Sequence, residues 1–290
     1  MKPDKIKEII SGKIKELKKL GNKLNNDLDK ATIHEFRIAV KSIRSFLRLL
    51  RTAYNEPGPK LPGKFKRLYH IAGAIRDAQL ELENLAANNT SLPIYSGKLN
   101  NDIKRQKKEW DRHYSEKIFR KIKKRLAGYE YETLSPDALA AFYNMKITGM
   151  KTLSNTRPCT SAQIHNIRKQ AKDIIYTAKL AQKEWKPAYK KLKHTPLAQL
   201  EDIATAIGDY NDDRVQLEHL ASFSSPETEL AEINEIKKIT KKDAAKLKKG
   251  KKEILDMVKK IQIQKPQKQK TKLIILNTKL HEHKINAQKR

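Results

Sequence analysis

Residues 32–50 read TIHEFRIAVKSIRSFLRLL. At about 100° per residue, His34, Arg37, Lys41, Arg44 and Arg48 return to one stripe roughly 80° wide, because spacings of three and four land on the same helical face. Ile33, Phe36, Val40, Ile43, Leu47 and Leu50 gather on the other side, so the segment predicts a helix with an apolar back and a cationic front. Like charges at these spacings destabilise an isolated helix by about 0.2–0.5 kcal/mol per pair. Such a row implies an anion facing it.

The row has a second copy. His165-x-x-Arg168-x-x-x-Lys172, followed by Lys179, has Ile164, Ile167, Ala171, Ile174 and Ala178 behind it. One helix after each row comes another shared element, Gly73-Ala-Ile-Arg76-Asp77 and Gly208-Asp-Tyr-Asn211-Asp212. Glycine and proline are sparse and β-branched alternation is nearly absent, so the chain reads as all-α. Eight main helices are expected at 4–28, 32–54, 63–88, 97–128, 136–155, 161–184, 196–222 and 227–262. Thr32-x-x-Glu35 and Thr160-x-x-Gln163 read as capping boxes, and Ser135-Pro136 and Thr195-Pro196 as a cap followed by proline at the first helical position. The repeat makes helices one to four a copy of five to eight, which predicts two pseudo-twofold-related four-helix bundles with long antiparallel helices. The halves are expected at 1–130 and 131–262, with a basic tail over 263–290 in which LIILNTKL is a candidate ninth element.

Sixty-three Lys and Arg against 33 Asp and Glu leave a formal charge of +30 over 290 residues. The excess runs along the whole chain and draws polyanions: nucleic acid, an anionic membrane surface or a phosphate polymer. A single cysteine, Cys159, excludes an internal disulfide, and MKPDKIKEII carries no apolar run of signal-peptide length. No apolar stretch approaches the ~18 residues of a membrane span. A cytoplasmic protein is the expectation.

A His-x-x-Arg-x-x-x-Lys helix followed one helix later by Gly-x-x-x-Asp, both repeated in a basic helical chain, resembles the CHAD family, the conserved histidine α-helical domain. The likeness covers about residues 4–262. It implies a non-catalytic module that binds inorganic polyphosphate along a central basic channel, in the cytoplasm and in association with polyphosphate granules, without metal or cofactor. The ligand residues it implies are His34, Arg37, Lys41, Arg44 and Arg48 in the first half and His165, Arg168, Lys172 and Lys179 in the second. The position matching Arg44 is Ile175, beside Tyr176, where the family usually has arginine. Many relatives also carry a triphosphate-tunnel domain marked by Glu-x-Glu-x-Lys; Glu81-Leu-Glu83-Asn-Leu85 lacks the lysine.

Channel walls are expected from Arg105, Lys108 and Arg112 on the fourth helix and Lys238, Lys241, Lys248 and Lys252 on the eighth. Asp77 and Asp212 suit the orientation of a neighbouring cation better than contact with a polyanion, and Gly73 and Gly208 suit close helix approach. His34 and His165 are placed near helix starts, where free backbone N–H groups favour an anion. Gly58-x-x-x-x-Gly63-Lys64 has Phe65 in place of the Ser or Thr of a phosphate loop, and Asp209-x-Asn211-x-Asp213 lacks the glycine of a calcium loop. The competing reading is a helical nucleic-acid-binding protein, with nucleic acid otherwise a nonspecific competitor. A phosphohydrolase built on His34 or His165 lacks an acidic partner in the sequence.

Overall fold

The computed structural model describes residues 1–55, 58–87, 90–192, 195–223, 228 and 230–261. The expected tail at 263–290 lies outside them. The described residues form ten helices and no strand: α1 Pro3–Asn26, α2 Lys30–Tyr54, α3 Gly63–Ala87, α4 Pro93–His113, α5 Glu116–Ala127, α6 Pro136–Asn155, α7 Ser161–Glu184, α8 Lys186–Lys190, α9 Leu197–Ser222 and α10 Leu230–Lys259.

The all-α reading holds, and two helices more than expected appear. The long fourth helix breaks at Tyr114, whose backbone is extended, and restarts behind Ser115, which accepts a hydrogen bond from Lys117 N. The break frees Tyr114 to stack on Trp110, with ring centroids 5.6 Å apart, and to donate its hydroxyl to Asn22 of α1. It also turns α5 onto α1, where Phe119 lies against Gly21 so closely that a side chain there would collide with the ring. The other addition is α8, a single short turn after Trp185.

Caps set several starts. Thr160 and Gln163 form the expected reciprocal box, and Ser135 accepts from Ala138 N at 3.2 Å. The first capping box is not used: Asp29 caps α2 by accepting from Thr32 N at 2.9 Å, and α2 begins at Lys30. Asp29 holds this place because a carboxylate suits the positive end of a helix. Thr195 does not cap α9, whose N-cap is Pro196. The start of α4, which has no side-chain cap of its own, is served by Glu232 of α10, which accepts from Tyr95 N at 3.0 Å.

The apolar backs of the two cationic helices are buried as expected. Ile33, Phe36, Ile43 and Leu50 of α2 and Ile167, Ala171 and Ile174 of α7 have no exposed surface. An aromatic chain, Trp110–Phe36–Phe65–Phe119, ties α2 to α3, α4 and α5 through centroid distances of 5.7–6.0 Å. Cys159, in the connection between α6 and α7, is buried in the same core.

In the first half α1 packs on α2 and α5, α2 on α3, and α3 on α4; in the second, α6 packs on α7 and α10, α7 on α9, and α9 on α10. The unbroken α10 thus makes both contacts that α4 and α5 divide between them. Across the halves α2 lies on α7, and a smaller apolar cluster joins Leu85, Tyr95 and Leu99 to Leu220 and Ile236. No described helix is long and apolar enough to cross a membrane.

Candidate polyanion-binding site

Because α2 and α7 pack together, their cationic fronts meet. Lys41 sits at this seam, partly exposed, with Arg37 of its own helix and Arg168 and Lys172 of α7 acting on it. Burial, then the charges of these three neighbours, bring its ammonium down to about 8, while Asp77 of α3 opposes the shift. Lys172 is lowered in the same way by burial, Arg168 and Lys179.

Both histidines feel the same field. His34 is pushed down by partial burial and by Arg76, Lys41 and Arg37; His165 by burial, Lys169, Arg168, Arg214 and Lys41. Lys41 therefore couples to both copies of the motif. The expected role of free helix-start amides does not hold, since each histidine is the fifth residue of its helix and lies beyond the first turn.

The glycines act differently from the expectation of close helix approach. A Cβ on Gly73 would collide with Nη1 of Arg37, and one on Gly208 would stand 3.2 Å from Nη2 of Arg168. Each glycine is a notch in which the guanidinium of the preceding cationic helix lies against α3 or α9. In its notch Arg168 donates from Nε to the Ala204 carbonyl at 3.3 Å. Arg37 Nη2 stands 3.9 Å from Asp77 Oδ1, and the charge of Asp212 acts on Arg168.

Sequence reading missed Tyr69, Arg76 and Arg214. Tyr69 lies under two guanidiniums, with Arg37 5.3 Å and Arg44 5.6 Å from its ring centroid. Arg76 lies in the fields of Arg37, Asp77 and Asp212, and its Nη1 is buried, 3.6 Å from Glu83 Oε1, with no hydrogen-bond partner among the described residues. Arg214 bonds Asn211 at 3.3 Å and acts on His165. The signal was present for α3: Tyr69, Gly73, Arg76 and Asp77 follow helical spacing on one face.

Other expected ligands are placed elsewhere. Arg48 forks onto Asp173, with Nε 2.8 and 2.9 Å from its carboxylate oxygens; Ser45 and Lys146 bond the same carboxylate at 2.9 and 3.3 Å. Asp173 is buried, so Arg48 serves a buried ionic knot of α2, α6 and α7 rather than the open row. Lys179 is exposed and pairs with Glu201 at 2.8 Å.

The expected channel walls turn outward. Arg105, Lys108 and Arg112 are exposed on the side of α4 opposite buried Tyr95, Leu99 and Trp110; Arg105 and Arg112 pair within the helix with Asp102 and Glu109. Lys238, Lys241, Lys248 and Lys252 are likewise exposed, opposite Ile236, Ile254 and Val258 of α10. The cationic cluster is instead built by α2, α7, α3 and α9. Its arginines offer forked donors for nonbridging phosphate oxygens and its lysines mobile point charges. Among the described residues no three His, Cys, Asp or Glu side chains gather as metal ligands.

The family model for the CHAD domain matches residues 8–221. The fold is similar to the crystal structure of the CHAD domain from the plant Ricinus communis, with a TM-score of 0.67 and 14% sequence identity over 90% of this chain and 92% of that one. No curated protein matches the chain.

Proposed function

The chain belongs to the CHAD family, and from that premise we propose that it binds inorganic polyphosphate along the seam between its two cationic helices, as a non-catalytic module of the cytoplasm associated with polyphosphate granules. One observation carries the reading. Arg37, Lys41, Arg168 and Lys172 converge from both motif copies on a single seam, where burial and mutual repulsion already depress the lysines. A chain of phosphates relieves that repulsion along its length, and each charge-assisted contact contributes about 1.5–3 kcal/mol when partly desolvated. Several contacts are needed, since ordering a flexible polymer costs entropy. A holding role is supported by the two motif histidines, neither of which bonds a carboxylate among the described residues.

Nucleic-acid binding is a second reading, favoured by the outward lysines of α4 and α10, which present charge to any polyanion however broad. A competition titration at about 0.15 M salt separates the two. Labelled long-chain polyphosphate is displaced by unlabelled polyphosphate, duplex DNA or RNA, using the native chain and a His34, Arg37, Lys41 triple alanine variant. Polyphosphate should win by orders of magnitude, with the variant losing that advantage. Equal competition by nucleic acid with unchanged binding by the variant would defeat the proposal.

A further inference from the structure

The second cationic helix departs from the first towards its C-terminal end, and the departure leaves room. In the register that aligns His34 with His165, Arg44, Leu47 and Arg51 of α2 correspond to Ile175, Ala178 and Gln182 of α7. In the first copy all three side chains are engaged: Arg44 reaches over the Tyr69 ring, Leu47 is buried and the stem of Arg51 lies against Gly58. In the second copy all three are smaller, and a half-open cavity of about 190 Å³ lies between α7, α8 and α9. Ile175, Ala178 and Leu197 give it an apolar lining, and Tyr189 of α8 adds an aromatic wall. Lys179 and Glu201 stand at its mouth, exposed and paired at 2.8 Å.

The position of the cavity on α7 indicates its occupant. Arg168, Lys172, Ile175 and Lys179 share one face at spacings of four, three and four. Lys172 and Lys179 are two turns apart, about 10.5 Å along the axis, with Ile175 of the cavity floor between them. Lys172 feels the charges of both Lys179 and Glu201, so the mouth and the cationic row are neighbours. A phosphate chain laid on the two lysines passes the opening. Bare phosphate makes no use of the apolar floor, and an uncharged apolar molecule makes none of the lysines.

We infer that this cavity is a binding site for a nucleoside polyphosphate, with the base in the cavity and the phosphates on Lys179 and Lys172. The inference rests on the phosphate-binding reading of the cationic row. At about 190 Å³ the cavity is smaller than the roughly 300 Å³ of a pocket for a whole drug-sized ligand, so it takes one ring system while the remainder lies along the helix. A flat base buries its faces against Ile175, Ala178 and Leu197 and meets the Tyr189 ring. The Gln182 amide offers a donor and an acceptor to the base edge, and the Glu201 carboxylate accepts from ribose hydroxyls. Lys179 exchanges Glu201 for phosphate, which an exposed ion pair resists little.

Calorimetric titration of the full chain at about 0.15 M salt compares ATP with inorganic triphosphate, the same phosphate chain without a nucleoside. ATP should bind about tenfold more tightly, the ratio expected from burying on the order of 60 Å² of ring. Leu197→Trp and Ala178→Leu fill the cavity from different helices, and neither residue belongs to the cationic row. Each variant that keeps its native thermal unfolding should lose the ATP advantage and bind inorganic triphosphate as the native chain does. ATP binding no tighter than inorganic triphosphate overturns the inference, as does an advantage that persists in the filled variants. Long-chain polyphosphate titrated alongside keeps the two readings apart. If it binds and ATP shows no advantage, the cavity site alone fails. A cavity-dependent ATP advantage without polyphosphate binding upholds the site and counts against polyphosphate as the ligand of the row.

Discussion

Replacing Lys41 with methionine should make the ligand-free chain more stable. The native ammonium is charged at pH 7 in a place where its affinity for the proton has dropped from the ordinary 10.5 to about 8. At about 1.4 kcal/mol per pH unit, that interval amounts to about 3 kcal/mol of unfavourable interaction in the folded state. Solvent at the partly exposed seam reduces it, so a gain of about 1–3 kcal/mol is expected from Lys41→Met. The sign is checked by pH. Between about 8 and 10.5 the unfolded chain holds a proton on Lys41 that the folded chain has released, so native stability rises with pH over that window. The advantage of the variant should therefore shrink to less than half by pH ~9.5. Urea unfolding at the two pH values measures the difference without adding salt. A variant that is no more stable at pH 7, or whose gain persists unchanged at the higher pH, would refute the reasoning; a constant gain would reflect methionine packing alone.

Other outcomes follow from the same geometry. Gly73→Ala improves helix propensity yet displaces the Arg37 guanidinium, so calorimetry should show an intact fold and polyphosphate affinity reduced about tenfold or more, with a smaller loss for Gly208→Ala. Asp173→Ala strands Arg48 and Lys146 and should destabilise the chain by about 3 kcal/mol in the same urea assay. His34 and His165 titrate below their ordinary 6.5 in the free chain and should be raised by a bound polyanion, so binding takes up protons and affinity increases as pH falls through 6.5 toward the lowered values. A flat profile between pH ~5.5 and 8 would show that the imidazoles do not meet the phosphates.

The helical fold was legible because both cationic rows kept strict three-and-four spacing with apolar residues behind them. That pattern fixes a face without any knowledge of neighbours, and Phe36, Ile43 and Ile167 are buried as it requires. The two cationic rows were legible from the repeat, and the structure brings them together where α2 packs on α7. What escaped was whatever depends on a partner from another part of the chain. Arg48 shares the stripe of Lys41, yet its destination is set by Asp173, 125 residues away. The outward turn of Lys241 and Arg105 is decided by which face of α10 and α4 is packed, and two helices carrying charge around their circumference conceal that choice. The helix break at Tyr114 reflects contacts with Trp110 and Asn22 that no local rule contains.

The buried knot at Asp173 also gives the two similar helices separate addresses. In the register that aligns His34 with His165, the position matching Asp173 is Ser42 of α2. A second copy of α2 taking the place of α7 would set Arg48 against another arginine-bearing helix without the carboxylate, and two copies of α7 would bury paired aspartates without Arg48. The first exchange leaves Arg48 without its partner at a half-exposed site, and the second leaves buried aspartates uncompensated, a penalty of several kcal/mol. Internal duplication creates elements that can mistake one another, within a chain or between chains. A single unsymmetrical ion pair at the seam makes the heterotypic union of α2 with α7 the favoured one.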